Sequence, residues 1–158
     1  MAPLDMGRAE RGPAAEASRI LTMRLADQLC GVAVAAVRDV LGPQPLARIP
    51  LAPAEVAGSL NLRGRIVTAI DLRRRLGLPP SPQGPEKAMS IVVEHGAELY
   101  SLLSDEVGEV ISLPETGYEP NPPTLDPLWR EVSLGVQRLG ERLLILLDIP
   151  VLLDLSRR

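Results

Sequence analysis

Aromatic, sulfur-containing and imidazole side chains are scarce in this chain of 158 residues. It has no phenylalanine, one tryptophan, one cysteine and one histidine, and its formal net charge is −3. It therefore lacks the stacking surfaces and the basic surplus of nucleic-acid binders, so no nucleic-acid partner is expected. A single cysteine excludes an internal disulfide and is typical of a reducing setting, so a cytoplasmic protein is expected.

Residue patterns of enzymes and metalloproteins are also missing. The sequence has no zinc-ligand spacing, no glycine-rich phosphate loop and no Gly-x-Ser-x-Gly turn. Cys30 and His95 could in principle act together in catalysis, but each lies in an apolar, strand-like run that favours a structural role. The sequence therefore predicts a protein that is not an enzyme and binds no cofactor or metal ion.

No segment has the pattern of a membrane span or a signal peptide. The most apolar run begins at Leu143, but Asp148 and Pro150 interrupt it, which favours a core strand and a short helix. Residues 1–18 carry scattered charges among Ala, Gly and Pro, and they are predicted to form a flexible tail. No direct membrane insertion is expected.

The chain repeats its own pattern of short apolar runs. Residues 21–40 match residues 91–110 at an offset of 70 positions, and residues 65–76 match residues 142–153 at an offset of 77. The runs are bounded by Gly, Asp and Asn, as strands are. Each half therefore reads as strand, turn, strand, loop, strand, turn, strand. One antiparallel sandwich without symmetry is the alternative.

The repeat and the prolines together predict the domain organisation. One domain is expected over residues 19–155, with halves at about 19–77 and 88–155. Residues 78–87 contain four prolines and a glycine, which exclude regular structure and mark a boundary or an exposed loop. Two small units packed together would shield apolar faces that either unit alone would expose.

Charged residues follow two of the predicted strands. Asp71 and Asp148 each end an apolar run ahead of a short helical turn, where an aspartate is a good N-cap. Three arginines, residues 73–75, follow Asp71. Two interpretations stay open for them: a solvated helix face, or a docking surface for an acidic partner.

The segment Asn61-Leu62-Arg63-Gly64 is the most specific motif in the sequence. Asn and Gly favour a turn, and an arginine in a turn presents five donors to a carboxylate or to carbonyl oxygens. Asp39 is a candidate partner for Arg63. Arg63 could pair with Asp39 only to stabilise the fold, or it could take part in binding a partner. The two roles are compatible.

These motifs resemble the CheW family of bacterial chemotaxis adaptors. The resemblance rests on VRDVLG (residues 37–42), VAGSLNLRGRIVTAIDLRRRLGL (56–78), SDEVGEVISLP (104–114) and LLILLDIPVLL (143–153). It implies an all-β fold of two intertwined SH3-like five-stranded barrels, with a short helical turn after each strand that ends in Asp-Leu or Asp-Ile. It also implies a non-catalytic protein.

The resemblance also implies partners and site residues. The family links the cytoplasmic hairpin of methyl-accepting chemoreceptors to the regulatory domain of the histidine kinase CheA, at membrane-associated receptor arrays. A decoy or regulator that binds a single partner is the alternative. The matching receptor-binding positions are Val37, Asp39, Gly58, Asn61 and Arg63; no kinase-contact residue can be assigned. The family commonly has Glu where Asp39 stands, so a direct Asp39–Arg63 ion pair is left open.

Overall fold

The computed structural model describes residues 19–114 and 117–155. That part of the chain forms ten strands: β1 Arg19–Leu25, β2 Gln28–Ala33, β3 Val37–Leu41, β4 Val56–Leu62, β5 Arg65–Asp71, β6 Met89–His95, β7 Glu98–Ser104, β8 Glu106–Ser112, β9 Ser133–Leu139 and β10 Arg142–Leu147. Short α-helices are α1 Leu72–Arg75, α2 Pro127–Val132 and α3 Ile149–Leu152, and 3-10 turns occur at Val34–Ala36 and Pro85–Lys87. The predicted tail, residues 1–18, lies outside the described residues, and the domain limits stay a prediction.

The strands form two five-stranded sheets. The first subdomain has the strand order β8-β1-β2-β10-β9, and the second has the order β3-β6-β7-β5-β4. Most neighbouring strands are antiparallel, but β10 runs parallel to β2 and β5 runs parallel to β7. The predicted fold of two intertwined SH3-like barrels is confirmed, because each sheet takes strands from both halves of the sequence.

The two sheets are built by the same plan. Exchanging β1–β5 with β6–β10, in order, converts the strand order of one sheet into that of the other. The offset of 70 superimposes β1, β2 and β3 on β6, β7 and β8, and the offset of 77 superimposes β4 and β5 on β9 and β10. Each strand position in one subdomain therefore has an equivalent in the other, whereas the loop between the third and fourth strands differs in length.

Apolar side chains form three clusters of buried residues. A large cluster lies between the two sheets and takes residues from both, including Met23, Cys30, Ile91, Leu102 and Ile145. Each subdomain also has a smaller core of its own. Alternate residues of a strand point to opposite faces, so the central strands serve a small core on one face and the shared core on the other.

Short helices follow the two equivalent strands β5 and β10, as the sequence predicts. The Asp71 carboxylate accepts a hydrogen bond from the Arg74 amide at 3.3 Å, and the Asp148 carboxylate accepts one from the Val151 amide at 3.4 Å. Both aspartates are therefore N-caps that satisfy free amides at the start of a helix. Among the described residues, no helix has the length and apolar character needed to cross a membrane.

Candidate protein-interaction site

The structure brings the five predicted site residues onto the two edges of the second subdomain. Val37 and Asp39 lie in β3, which is one edge strand of the sheet. Gly58 and Asn61 lie in β4, the other edge strand, and Arg63 lies in the turn between β4 and β5. In the linear strand order these edges are the furthest apart.

An ion pair joins those two edges. Arg63 Nη2 donates to Asp39 Oδ2 at 2.6 Å, and Asp39 Oδ1 accepts from the Val40 amide at 2.9 Å. The hydrogen bond from Arg63 is the main cause that lowers the pKa of Asp39 below its ordinary value. The shorter aspartate therefore reaches the arginine directly. The Arg63 side chain is 73% exposed while paired, so a partner could reach it.

The turn that presents Arg63 is built by its neighbours. Leu62 pairs with Arg65, and the two residues between them have positive φ, 50° at Arg63 and 87° at Gly64, as in a type I′ hairpin turn. Asn61 Oδ1 accepts a hydrogen bond from the Gly64 amide at 3.0 Å. In this structure Asn61 therefore stabilises the turn that holds Arg63.

Gly58 allows a close backbone approach, but the backbone it meets is that of the same chain. A Cβ atom at Gly58, where φ is +155°, would lie 2.6 Å from the Ala47 carbonyl oxygen. Ala47 and Ser59 exchange two backbone hydrogen bonds of 2.8 Å beside it. The equivalent Gly135 has the same geometry, with φ of +153° and the Glu119 carbonyl oxygen at 2.5 Å. This repetition assigns Gly58 a packing role.

Apolar side chains near the ion pair complete the surface. Val37 is half-buried, pairs with Val93 and packs on the shared core. Val40 and Ile66, which the sequence analysis did not select, are 39% and 67% exposed. Val40 directly follows Asp39, and Ile66 pairs with Asn61 across β4 and β5, so each is adjacent to a polar site residue. Exposed aliphatic residues beside an exposed charge pair are typical of a protein contact.

The first subdomain has no counterpart of this ion pair. The equivalents of Asp39 and Arg63 are Glu109 and Gly140, so the cation is missing. A cavity of about 340 Å³ opens there, and among its lining residues are Thr22, Leu29, Gly108, Glu109, Ile111 and Leu139. The two subdomains therefore share a plan but present different surfaces.

The three arginines after Asp71 do not form one face, which corrects both interpretations of them as a group. Arg73 Nε and Nη2 donate to the two carboxylate oxygens of Asp105 at 3.0 and 2.7 Å. Arg75 is 1% exposed and donates to the Leu152 and Val151 carbonyl oxygens at 2.9 and 3.0 Å. Only Arg74 is exposed. A short helix turns 100° per residue, so consecutive side chains leave it in different directions.

Asp105 connects the two subdomains. It lies where the chain passes from β7 to β8, and its carboxylate also accepts from the Ala26 amide at 2.7 Å, in the β1–β2 turn. Arg73, at the start of the second subdomain's helix α1, is the main cause that lowers the pKa of Asp105. The carboxylate is 15% exposed, so it needs these donors in place of water. The sequence pattern does not reveal this role, because the partners of Asp105 are 79 and 32 positions away.

The structure separates Cys30 from His95. Cys30 is fully buried in the shared core, where burial raises the pKa of its thiol well above the ordinary value. His95 is exposed at the end of β6. Within residues 19–114 and 117–155, no group of His, Cys, Asp and Glu side chains has an arrangement that could hold a metal ion.

Two interlocked SH3-like subdomains with an exposed ion pair across two strand edges define a protein-interaction domain. Residues 19–157 match the family model described as the CheW-like domain, and the chain belongs to this family. The resemblance seen in the sequence is thereby confirmed. The prediction of a non-enzymatic protein is also confirmed, because the family consists of scaffold proteins.

Relatives and a solved structure agree with this assignment. The chemotaxis protein CheW of Klebsiella aerogenes is 34% identical over 137 residues, which cover 85% of this chain and 80% of that protein. The probable chemotaxis protein CheW of Rhizobium etli is 28% identical over 133 residues, covering 84% and 85%. The crystal structure of the scaffolding protein TtCheW from Thermoanaerobacter tengcongensis has a TM-score of 0.77 and 28% identity, covering 89% of this chain and 95% of that one.

Proposed function

We propose that this chain is an adaptor that couples the cytoplasmic hairpin of a chemoreceptor to the regulatory domain of the histidine kinase CheA. It would act in the cytoplasm, at membrane-associated receptor arrays. Support comes from family membership and from relatives that are named as chemotaxis proteins and as a scaffold. The receptor would contact the second subdomain at Val37, Asp39 and Arg63, with Asn61 and Gly58 shaping that surface.

The observation that carries this proposal is the exposed ion pair between Arg63 and Asp39. An arginine that is 73% exposed on a fixed turn keeps several N–H donors available while one of them holds the aspartate. A receptor carboxylate or carbonyl oxygen can therefore bind Arg63 without a large rearrangement of the turn. Val40 and Ile66 would supply apolar contact beside it.

A single-partner decoy or regulator is the second candidate. One observation favours it: the equivalent end of the first subdomain has Gly140 where the second has Arg63, so the charge pair occurs only once among the described residues. If both partners needed such a pair, this chain could bind only one of them. The two candidates differ in the number of partners bound and share the role of Arg63.

The Arg63→Gly variant tests the proposed site. Glycine suits the positive φ of this turn, as Gly140 shows at the equivalent position, so the variant removes the charge without straining the backbone. We expect about tenfold weaker binding of a purified receptor hairpin by calorimetry, because a charge-assisted contact at the centre of the surface is lost. The unfolding temperature should not change, since the ion pair is exposed.

Arg138→Gln is the control, because a glycine inside strand β9 would also weaken the strand. Arg138 is the equivalent of Asn61 in β9, is 67% exposed and also pairs with an acid, Glu119, at 3.5 Å. It should leave receptor affinity unchanged. Equal affinities for wild type and Arg63→Gly, or an equal loss in the control, would place the receptor contact elsewhere.

A further inference from the structure

A groove runs beneath the proline-rich segment of the second subdomain. Residues 79–88, here called the proline arch, pass over the ends of β4, β5 and α1. A cavity of about 270 Å³ under the arch shares lining residues with neighbouring cavities of about 370 Å³ and 360 Å³. The three cavities therefore lie side by side and are here called together the proline-arch groove, and the prolines of the arch restrict the backbone along it.

The floor of the groove is apolar. Val56 and Ala57 of β4, Leu103 of β7 and Ala88 at the end of the arch line the central cavity, together with Pro85. Leu103 is only 5% exposed, whereas Val56, Ala57 and Ala88 are half-buried and reachable from the groove. Such a floor favours an aliphatic side chain from a ligand.

Every acidic residue that lines the groove already has a partner in the fold. Asp71 caps α1, and Glu86 accepts the Leu46 amide at 3.1 Å. Asp105 binds Arg73, and Glu106 accepts from Arg24 at 3.2 Å. These carboxylates are therefore engaged by donors of the protein itself.

Three cations on the rim differ from the acids in this respect. Arg48, Arg74 and Lys87 line the groove and are exposed. Among the described residues, no ion pair within 4.0 Å involves any of them. Five cations and four carboxylates line the three cavities, so the groove carries a net charge of +1, although the whole chain carries a net charge of −3.

We propose that the proline-arch groove binds an acidic segment of a partner protein, with carboxylates on Arg48, Arg74 and Lys87 and an aliphatic side chain on the apolar floor. Charge complementarity selects this occupant, since the unpaired cations surround an apolar surface. The groove and the Arg63 turn lie at opposite ends of β5, about 20 Å apart along seven residues of strand. This contact is a second surface, separate from the receptor site proposed above.

A peptide titration tests the groove directly. The probe is the peptide acetyl-Glu-Leu-Glu-Glu-Leu-Glu-amide, added to the ¹⁵N-labelled full chain and followed through backbone amide shifts. We expect shifts confined to the proline arch, Arg74 and the start of β4, and at least a fivefold weaker affinity when NaCl rises from about 50 to 500 mM. The peptide with Lys in place of each Glu should give no shifts there.

Neutral variants complete the test. Peptide binding should weaken at least tenfold in the triple variant that carries Arg48→Gln, Arg74→Gln and Lys87→Gln. The control is a triple variant of the first subdomain with Arg19→Gln, Arg138→Gln and Arg142→Gln. It removes the same number of positive charges and should bind the peptide as tightly as the wild type does.

Several outcomes would overturn the proposal. Amide shifts away from the groove, or binding of the lysine peptide as tight as that of the glutamate peptide, would contradict it. So would unchanged peptide affinity in the groove variant. Groove shifts of the same size with vesicles of anionic lipid would indicate a membrane surface instead of a protein segment. None of these results involves Arg63, so a failure here leaves the receptor-binding test unaffected.

Discussion

Gly135→Ala is expected to lower the free energy of unfolding by about 3 kcal/mol, and Gly58→Ala by a similar amount. At both positions a Cβ atom would lie within 2.6 Å of a backbone carbonyl oxygen, at Glu119 and at Ala47. Those carbonyls cannot move freely, because each residue exchanges two hydrogen bonds with the neighbouring strand. Chemical denaturation followed by circular dichroism measures the change.

Gly42→Ala is the control for this pair. No atom lies within 4 Å of a Cβ built at Gly42, so its effect should stay within about 0.5 kcal/mol. If Gly58→Ala keeps wild-type stability and yet loses receptor affinity, the packing role assigned to Gly58 is wrong, and the residue contacts the receptor itself. A loss of stability in both variants would show that the two subdomains depend on the same close approach of a glycine to a backbone carbonyl.

Asp105→Asn is expected to cost about 2 kcal/mol of stability, or about 6 °C in unfolding temperature for a chain of this length. Asparagine fills the same space but loses the charge that accepts two hydrogen bonds from Arg73. The asparagine amide oxygen still accepts one hydrogen bond, but its NH2 group is a donor, so Arg73, whose side chain is 16% exposed, loses one of its two bonds to this residue and the opposite charge, and keeps the Pro79 carbonyl oxygen at 2.7 Å. Thermal unfolding at pH 7 measures the loss.

The pH dependence gives this prediction a second readout. The pKa of Asp105 is lowered from 3.8 by Arg73, so the folded state binds its proton less readily than the unfolded state does. The stabilisation is therefore complete above the unfolded pKa and disappears as the pH falls through the folded pKa. The difference between wild type and Asp105→Asn should be constant from about pH 7 to 5 and shrink below about pH 4.

Glu106→Gln provides the comparison for Asp105→Asn. Glu106 is the next residue and also pairs with an arginine, Arg24, but its side chain is 70% exposed. Water competes for such a pair, so little stability should be lost. Equal losses in the two variants would contradict the role given to Asp105 as a connection between the subdomains.

Local patterns in the sequence were sufficient to predict the strands and their duplication. Period-two apolar runs, Gly and Asp at the turns, and the two offsets depend only on neighbouring residues, and the helix caps at Asp71 and Asp148 follow from the same signals. The Asn-Leu-Arg-Gly segment likewise predicted its own turn, because positive φ at Gly64 is a property of the residue type.

Contacts between distant segments could not be predicted in this way. The exchange of strands between the sheets has no signature in a single strand, since no local pattern in β3 shows that its partner is β6 of the other half. Asp105 looks like any polar residue in a loop, and only the folded chain brings it to Ala26 and Arg73. For the same reason the direct Asp39–Arg63 contact, 24 positions apart in sequence, remained open until the structure was known.

Burial of Arg75 is the clearest case of this limit. Sequence places it in a run of three arginines that reads as a polar helix face. The fold instead buries its guanidinium beside the last carbonyls of α3, which is the equivalent helix of the other half. Cations are favourable near the C-terminus of a helix, where carbonyl groups lack partners within the helix. Only the folded chain brings those carbonyls, 76 and 77 positions away in sequence, to Arg75.

The adaptor role proposed above requires this chain to bind a receptor and a kinase at the same time. Calorimetry with a cognate receptor hairpin, with the CheA regulatory domain, and with each partner added to the complex of the other tests it most directly. An adaptor should show measurable affinity for both partners, and neither affinity should fall when the other partner is bound. Binding to only one partner, or displacement of one by the other, would contradict the adaptor role and support the single-partner regulator.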